Sequence, residues 1–318
     1  MEQRYDFVTL DQPVDEEERR TKERRLFMYS VDALVAAEAV ERVYVMFTEF
    51  DVALKACDRI YQLSRKLETP QGALVTGPPG ASKTTLGTYF AKSLPESSLF
   101  ENGYGAILIR LRANPTQGLV VSLLLRAVKY PFVDVRKSRV YTMRDIAFEA
   151  IVARGTKIVF VDQGHCLSTQ PRAKHGDVTE TAATDTLREL MDQAKVGLVI
   201  LADSSFRGLE SVDVALADRI SVRLSLTHFQ EDGHWLAFLR SFASKVTIID
   251  CSVIASDPCA HLTYVATVGN RRSFRRLITE SVLICVNSQA EILTIEHLRL
   301  AWERTRGTAS AMTNPYGK

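Results

Sequence analysis

Nine consecutive residues constrain this chain more than any others: Gly77-Pro78-Pro79-Gly80-Ala81-Ser82-Lys83-Thr84-Thr85. The apolar run Ala73-Leu74-Val75 precedes them, and a segment of helical character, residues 86–94, follows. Strand, glycine-rich turn, Lys-Thr and helix, in that order, are the context of a phosphate-binding loop. Loop N–H groups converge on an anion, and the following helix adds the positive end of its dipole. Lys83 is placed to reach the β- and γ-phosphates, and the Thr84 hydroxyl to hold Mg2+. ATP with Mg2+ is therefore the expected cofactor pair, bound by the whole stretch from Gly77 to Thr85. Ser82 stands where such loops usually carry glycine. If the backbone there needs a positive φ, serine is strained; if not, it costs little.

Composition narrows the remaining possibilities. A chain of 318 residues fits one large or two modest domains. Its 46% hydrophobic and 25% charged residues are those of a globular protein. The formal net charge of +2 makes any nucleic-acid surface local rather than global. No apolar run approaches the ~18 residues of a membrane span, so no membrane partner is expected. The first residues, 1–15, are polar and acidic, unlike a signal peptide. Cys57, Cys166, Cys251, Cys259 and Cys285 are scattered, with no C-x-x-C pair. Free thiols in a reducing cytoplasm are expected rather than disulfides or a zinc site.

Before the loop, residues 15–25 run from acidic to basic, which suits a helix dipole. They read as a solvated helix or as a docking arm for a partner protein or DNA. Residues 29–65 carry helical periodicity, ended by Glu68-Thr69-Pro70-Gln71-Gly72. After the loop, residues 105–112 form a second strand candidate, and residues 119–128 are apolar enough for a buried helix. Residues 126–144 are the most basic neighbourhood, with Tyr130, Phe132 and Tyr141 interleaved. Thr142-Met143-Arg144-Asp145 has the spacing of a capping box. Residues 157–163 then give a β-branched and aromatic strand ending in Asp162 and Gln163. An acid at the end of a parallel strand beside the loop holds Mg2+ directly or through water. Residues 168–184 are polar and read as a loop. A fourth strand, residues 197–203, ends in Asp203, and residues 221–226 are a fifth candidate. From residue 230 onward helical signals dominate, and the tail after Gly307 is small and polar, as a disordered segment would be.

Taken in order, these motifs resemble the TniB/TnsC family of AAA+ transposition regulators. The likeness covers roughly residues 47–302. It rests on the phosphate loop, Ile158-Val159-Phe160-Val161-Asp162-Gln163-Gly164-His165, the Leu201-Ala202-Asp203-Ser204 strand end, Leu216-Ala217-Asp218-Arg219 and the helical C-terminal part. The resemblance implies an α/β fold: a P-loop AAA+ core with a parallel sheet, followed by a small all-helical lid. The expected boundaries are an N-terminal arm and helices at 1–46, the core at 47–228, the lid at 229–306 and the tail at 307–318. It implies an ATPase that forms rings or helical filaments on double-stranded DNA. Its partners are then copies of itself, a transposase and a target-selection protein of the same transposon. A prokaryotic cytoplasmic, nucleoid-associated location goes with that. A helicase-loader-like ATPase and an ATP-binding scaffold are the alternatives.

The resemblance also assigns roles. Thr84 and Asp162 hold the metal. Gln163 occupies the position of the glutamate that activates water. An amide hydrogen-bonds water but takes no proton from it, so binding is retained and hydrolysis slowed. Either the protein is a slow ATPase that relies on assembly, or the position carries a hydrolysis-blocking substitution. Asp203 takes the sensing position near the γ-phosphate and is a substitute base. Arg219 matches an arginine finger acting on a neighbouring subunit, or it pairs with Asp218 or Asp213; Arg223 is a rival. Arg271 or Arg272 contacts phosphate or lies in solvent. His165 packs or hydrogen-bonds near the site. Arg110, Arg112, Lys129, Arg136, Lys137 and Arg139 are the DNA-binding candidates, or else an ordinary basic face. The interleaved aromatics are expected to be core.

Overall fold

The structure is a computed structural model that describes residues 19, 28–94, 105–168, 182–307 and 313–317. The charged stretch 15–25, apart from Arg19, and most of the polar segment 168–184 lie outside the described residues. The chain divides into two compact units. The larger, residues 45–238 with 267–273, holds the sheet and the phosphate loop.

Five parallel strands form one sheet in the order β2-β3-β4-β1-β5: β1 Gly72–Gly77, β2 Ala106–Arg110, β3 Ile158–Asp162, β4 Gly197–Asp203 and β5 Val222–Ser225. The parallel order follows from composition, because the central strands are apolar on both faces. All five residues of β3 are buried. Alternation along each strand then assigns side chains to two layers. Leu74, Val159, Val161, Leu198 and Ile200 pack with α4 (Gln117–Ala127), α5 (Val140–Ala153) and α6 (Ala182–Ala194). Ala73, Val75, Ile158, Phe160, Val199 and Leu201 pack with α2 (Thr48–Leu63) and α3 (Lys83–Ser93). Helix α3 approaches the sheet closely through Gly87: a Cβ there would lie 2.7 Å from Leu108 Cδ1 and 3.2 Å from the Phe160 ring. The helix propensity lost to glycine is the cost of that approach.

Local signals fixed several boundaries. Thr116 caps α4 by accepting from the Leu119 N–H at 3.2 Å, and Asp213 caps α7 (Val214–Arg219) through Leu216. The capping box expected at Thr142 is not formed. Residues Lys137–Arg139 make a 3-10 turn that runs straight into α5, so Thr142 already lies inside the helix, and the Asp145 carboxylate accepts from Arg144 instead. The helical stretch expected over 29–65 is broken into α1 (Val31–Glu41) and α2 by extended residues near 43–47.

The second unit takes in residues up to 44, 239–266 and 274 onward. The chain passes between the units within α8 (Gly233–Lys245), α9 (Asp257–Thr267) and α10 (Arg271–Asn287); α11 (Ile295–Arg306) completes the helical C-terminal region. Helix α1 belongs to this unit rather than to a separate arm. Ala33 and Ala37 pack on Leu283, and the Tyr29 hydroxyl donates to Glu280 at 2.6 Å. The end of α1 is held by Arg275, which donates to the Val40 carbonyl at 3.0 Å beside the Val43 N–H at 3.1 Å. The tail also differs from a disordered segment: Tyr316 is buried and its hydroxyl bonds Thr263 at 2.9 Å. A single large amphipathic ring near the end of a polar tail is enough to dock it. All five cysteines are free and buried. Among the described residues no helix is long and apolar enough to cross a membrane.

Candidate functional site

Strand register builds the site. Arg110 of β2 pairs in register with Asp162 of β3, and Gly77 of β1 with Asp203 of β4. The carboxyl ends of four neighbouring strands therefore present an arginine, two aspartates and the start of the phosphate loop. In open parallel sheets this is the edge at which ligands bind.

The loop leaves β1 at Gly77 and reverses at Gly80, where φ is +83°, a conformation natural to glycine. Ser82 then adopts φ +65° and ψ +20°, the left-handed region, so the strain anticipated for serine is present. Serine is a strong N-cap residue, yet Ser82 makes no side-chain cap on α3. Its hydroxyl instead accepts from Arg271 Nε at 3.0 Å. The N-terminus of α3 thus carries no side-chain cap, and its dipole faces the loop as an anion site requires. Lys83 Nζ donates to the Gly77 and Pro78 carbonyls at 2.5 and 2.9 Å. Burial lowers its pKa below the ordinary lysine value. The charges of Asp203 and Asp162 oppose that shift, and those of Arg272 and Arg271 add to it.

Asp162 is buried, and its carboxylate is fully engaged. Oδ2 accepts from the Thr84 hydroxyl at 3.0 Å and from Arg110 Nε at 3.1 Å, with Arg110 Nη2 also 3.0 Å away. Oδ1 accepts from the Gln163 N–H at 2.9 Å. A buried carboxylate needs such partners. Thr84 and Asp162 are adjacent hard oxygen donors, the set that suits Mg2+ when phosphates and water complete the shell. Among the described residues no cluster of three or more His, Cys, Asp or Glu side chains could hold a metal alone.

Gln163 follows in the left-handed region at φ +59°, at the turn into a short 3-10 segment, Gly164–Ser168. Asp203 Oδ1 accepts from the Ser205 N–H at 3.1 Å. That bond is the main reason its pKa lies below the usual carboxylate value; Lys83 and His165 add to the effect. A carboxylate so stabilised is a weak proton acceptor, so Asp203 suits electrostatic positioning better than the work of a base. Among the described residues the buried Nδ1 of His165 has no hydrogen-bond partner.

Arg271 is not aimed at a phosphate. It is buried, with its guanidinium 4.2 Å from the Phe47 ring centre and 5.1 Å from that of Phe229. Nη2 donates to the carbonyls of Ala81 at 2.8 Å and Thr227 at 2.7 Å. Burial pushes its pKa down to about 10, which leaves it protonated at neutral pH. It is a clamp on the loop. Its neighbour Arg272 is exposed, and its charge helps to depress the pKa of Lys83. Sequence reasoning missed three further supports. Asn270 Nδ2 donates to the Pro79 carbonyl at 3.1 Å, His228 Nε2 lies 3.0 Å from the same oxygen, and Glu49 accepts from Thr227. Only Asn270, before the helix that begins at Arg271, offered a signal, as a helix cap.

The other predicted residues lie away from this cluster. Arg219 bonds Asp192 at 2.9 and 3.2 Å, rather than Asp218 or Asp213, and Arg223 bonds Glu210 at 2.8 Å. Arg110, expected among the DNA contacts, is drawn into the nucleotide site by its register with Asp162. Arg112, Lys129, Arg136, Lys137 and Arg139 are exposed. Of the aromatics expected to be core, Tyr130 packs on the sheet layer, but Phe132 and Tyr141 are exposed.

The fold is that of a P-loop AAA+ core, a parallel sheet with the phosphate loop after its first strand. A family model described as "ATPase family associated with various cellular activities (AAA)" matches residues 73–227. No curated protein matches the sequence. Among solved structures, the chain is similar to the Aeropyrum pernix ORC2 protein in ADPNP–ADP complexes, with a TM-score of 0.60 at 16% identity over 86% of this chain and 72% of that one. It is similar to the Aeropyrum pernix ORC1 protein in complex with DNA, with a TM-score of 0.58 at 18% identity over 85% and 69%. It is also similar to Drosophila ORC bound to DNA, with a TM-score of 0.52 at 14% identity over 97% and 70%. At these identities the likeness is one of fold.

Proposed function

We propose that this chain is an ATP-dependent, DNA-binding AAA+ regulator. It assembles with copies of itself on duplex target DNA and recruits or activates a transposase there. The observation that carries the ATP part is the contact of Thr84 with Asp162 beside Lys83, at the mouth of a helix without a side-chain cap. The motif resemblance to the TniB/TnsC family supports the transposition part, and two of the fold neighbours are themselves bound to DNA.

Each residue then has a task. Bound Mg-ATP supplies the electrophilic γ-phosphorus and the charge that the loop recognises. The loop amides and Lys83 hold the phosphates, and Thr84 and Asp162 hold the metal. A metal ion held by Thr84 and Asp162 would compete with the Arg110 guanidinium for Asp162 Oδ2. Arg272 reaches toward the phosphates. Gln163 orients water without deprotonating it, so turnover is slow and ATP acts chiefly as a switch. Arg219 exchanges Asp192 for the γ-phosphate of a neighbouring subunit. Exposed ion pairs of this kind contribute only about 0–1 kcal/mol, so the exchange is cheap. A target-selection protein of the same transposon is the further partner.

The test is negative-stain imaging of the full chain with duplex DNA, with and without ATP and Mg2+. Rings or filaments that need both ligands are expected. Monomers under every condition would refute assembly.

A further inference from the structure

The loop after α4 presents an exposed aromatic ring on a fixed support. Its neighbours are tucked in: Val128 is buried, and Tyr130, Val133 and Val135 pack against the sheet-layer core. The Ser122 hydroxyl donates to the Val133 carbonyl at 2.8 Å, and the Tyr130 N–H to the Leu125 carbonyl at 2.9 Å. Between these anchors Phe132 is 73% exposed, touched by Tyr130 in an edge contact with ring centres 6.3 Å apart. A phenylalanine held in water by its own support gains nothing from burial. Phe132 and Tyr141 are the only aromatics among the exposed large hydrophobic residues of the described chain.

The segment that carries it is basic. Residues 126–140 contain five basic side chains, Arg126, Lys129, Arg136, Lys137 and Arg139, against one acid, Asp134. All five are exposed. Among the described residues Arg136, Lys137 and Arg139 form no ion pair with a carboxylate. A flat apolar face within a basic, exposed segment, on a chain of net charge only +2, matches a ligand that offers flat apolar faces beside anions. A nucleic acid offers both.

We propose that Phe132 stacks on the face of a DNA base while Arg136, Lys137 and Arg139 neutralise the flanking phosphates. This rests on the DNA-binding reading above and adds a base contact to it. The face could come from an open base step in a duplex, into which the ring wedges, or from an unpaired strand.

The experiment is titration of the full chain, with ATP and Mg2+, against duplex and single-stranded oligonucleotides carrying 2-aminopurine, at several salt concentrations. Phe132→Ala should weaken binding roughly 5- to 150-fold, the range for loss of one stacked base. It should leave the salt slope unchanged and abolish the 2-aminopurine response; Phe132→Trp should restore both. Lys137→Ala should lower the duplex salt slope by about 0.9 and keep the response. A response in duplex identifies the wedge; one confined to single strands identifies the open-strand stack. Native binding with Phe132→Ala equally tight and equally responsive overturns the stacking proposal alone. No binding by the native chain overturns the DNA reading beneath it. Binding to anionic lipid vesicles that is lost in Phe132→Ala, with DNA binding intact, also overturns it.

Discussion

Ser82 and Arg271 should be energetically coupled, and the coupling has a sign that simple truncation does not. Serine in the left-handed region costs about 1–2 kcal/mol. Glycine removes that cost but gives back about 0.4–1 kcal/mol through its freer unfolded chain. Ser82→Gly therefore gains on the order of 0.5–1 kcal/mol from the backbone. It also removes the oxygen that accepts from Arg271 Nε at 3.0 Å. A hydrogen bond to a buried cation contributes about 1.5–3 kcal/mol. In the native background Ser82→Gly should thus destabilise the larger unit by about 1–2 kcal/mol. In an Arg271→Met background, which keeps an apolar stem between Phe47 and Phe229, the same change should stabilise by about 0.5–1 kcal/mol, because only the backbone gain is left. The assay is urea unfolding followed by Trp235 fluorescence. The chain has two tryptophans, and Trp302→Phe silences the other. Its Nε1 is buried without a partner, so the replacement removes an unpaired donor. Equal effects of Ser82→Gly in both backgrounds, within about 0.5 kcal/mol, would refute the view that Arg271 supports the strained serine.

Two further outcomes follow from the site. Gln163→Glu places a proton acceptor beside Asp162 and should raise DNA-stimulated phosphate release by ~100-fold or more; unchanged turnover would mean that ATP serves only assembly. Asp203 has its pKa held below 3.8 by the Ser205 N–H and by Lys83. Its stabilising contribution is present above that ordinary value and is lost as pH falls through the depressed one. Between about pH 6 and about pH 2.5 the native chain should lose more unfolding free energy than Asp203→Asn; parallel curves would remove the assigned role.

Much of the chemistry was legible in the sequence because it is local. The loop from Gly77 to Thr85 is contiguous, and the spacing of strand, turn and helix is itself the phosphate site. The apolar runs of β3 and β4 marked two strands, each ending on an aspartate, Asp162 and Asp203. Helical signals likewise dominated from residue 230 onward, where α8 to α11 lie, because amphipathic faces repeat along the chain. Tertiary structure decided the pairings between distant residues. Register, not proximity in sequence, set Arg110 against Asp162 and withdrew it from the basic loop. Arg271 and Arg272 are neighbours with the same side chain, yet one is buried between two rings and the other is exposed. No pattern in a linear chain separates them, since the choice depends on where Phe47, Thr227 and Phe229 are folded. The same holds for Phe132: an aromatic among cations reads as core until the fold tucks in Val133 and Val135 on one side and leaves the ring in water.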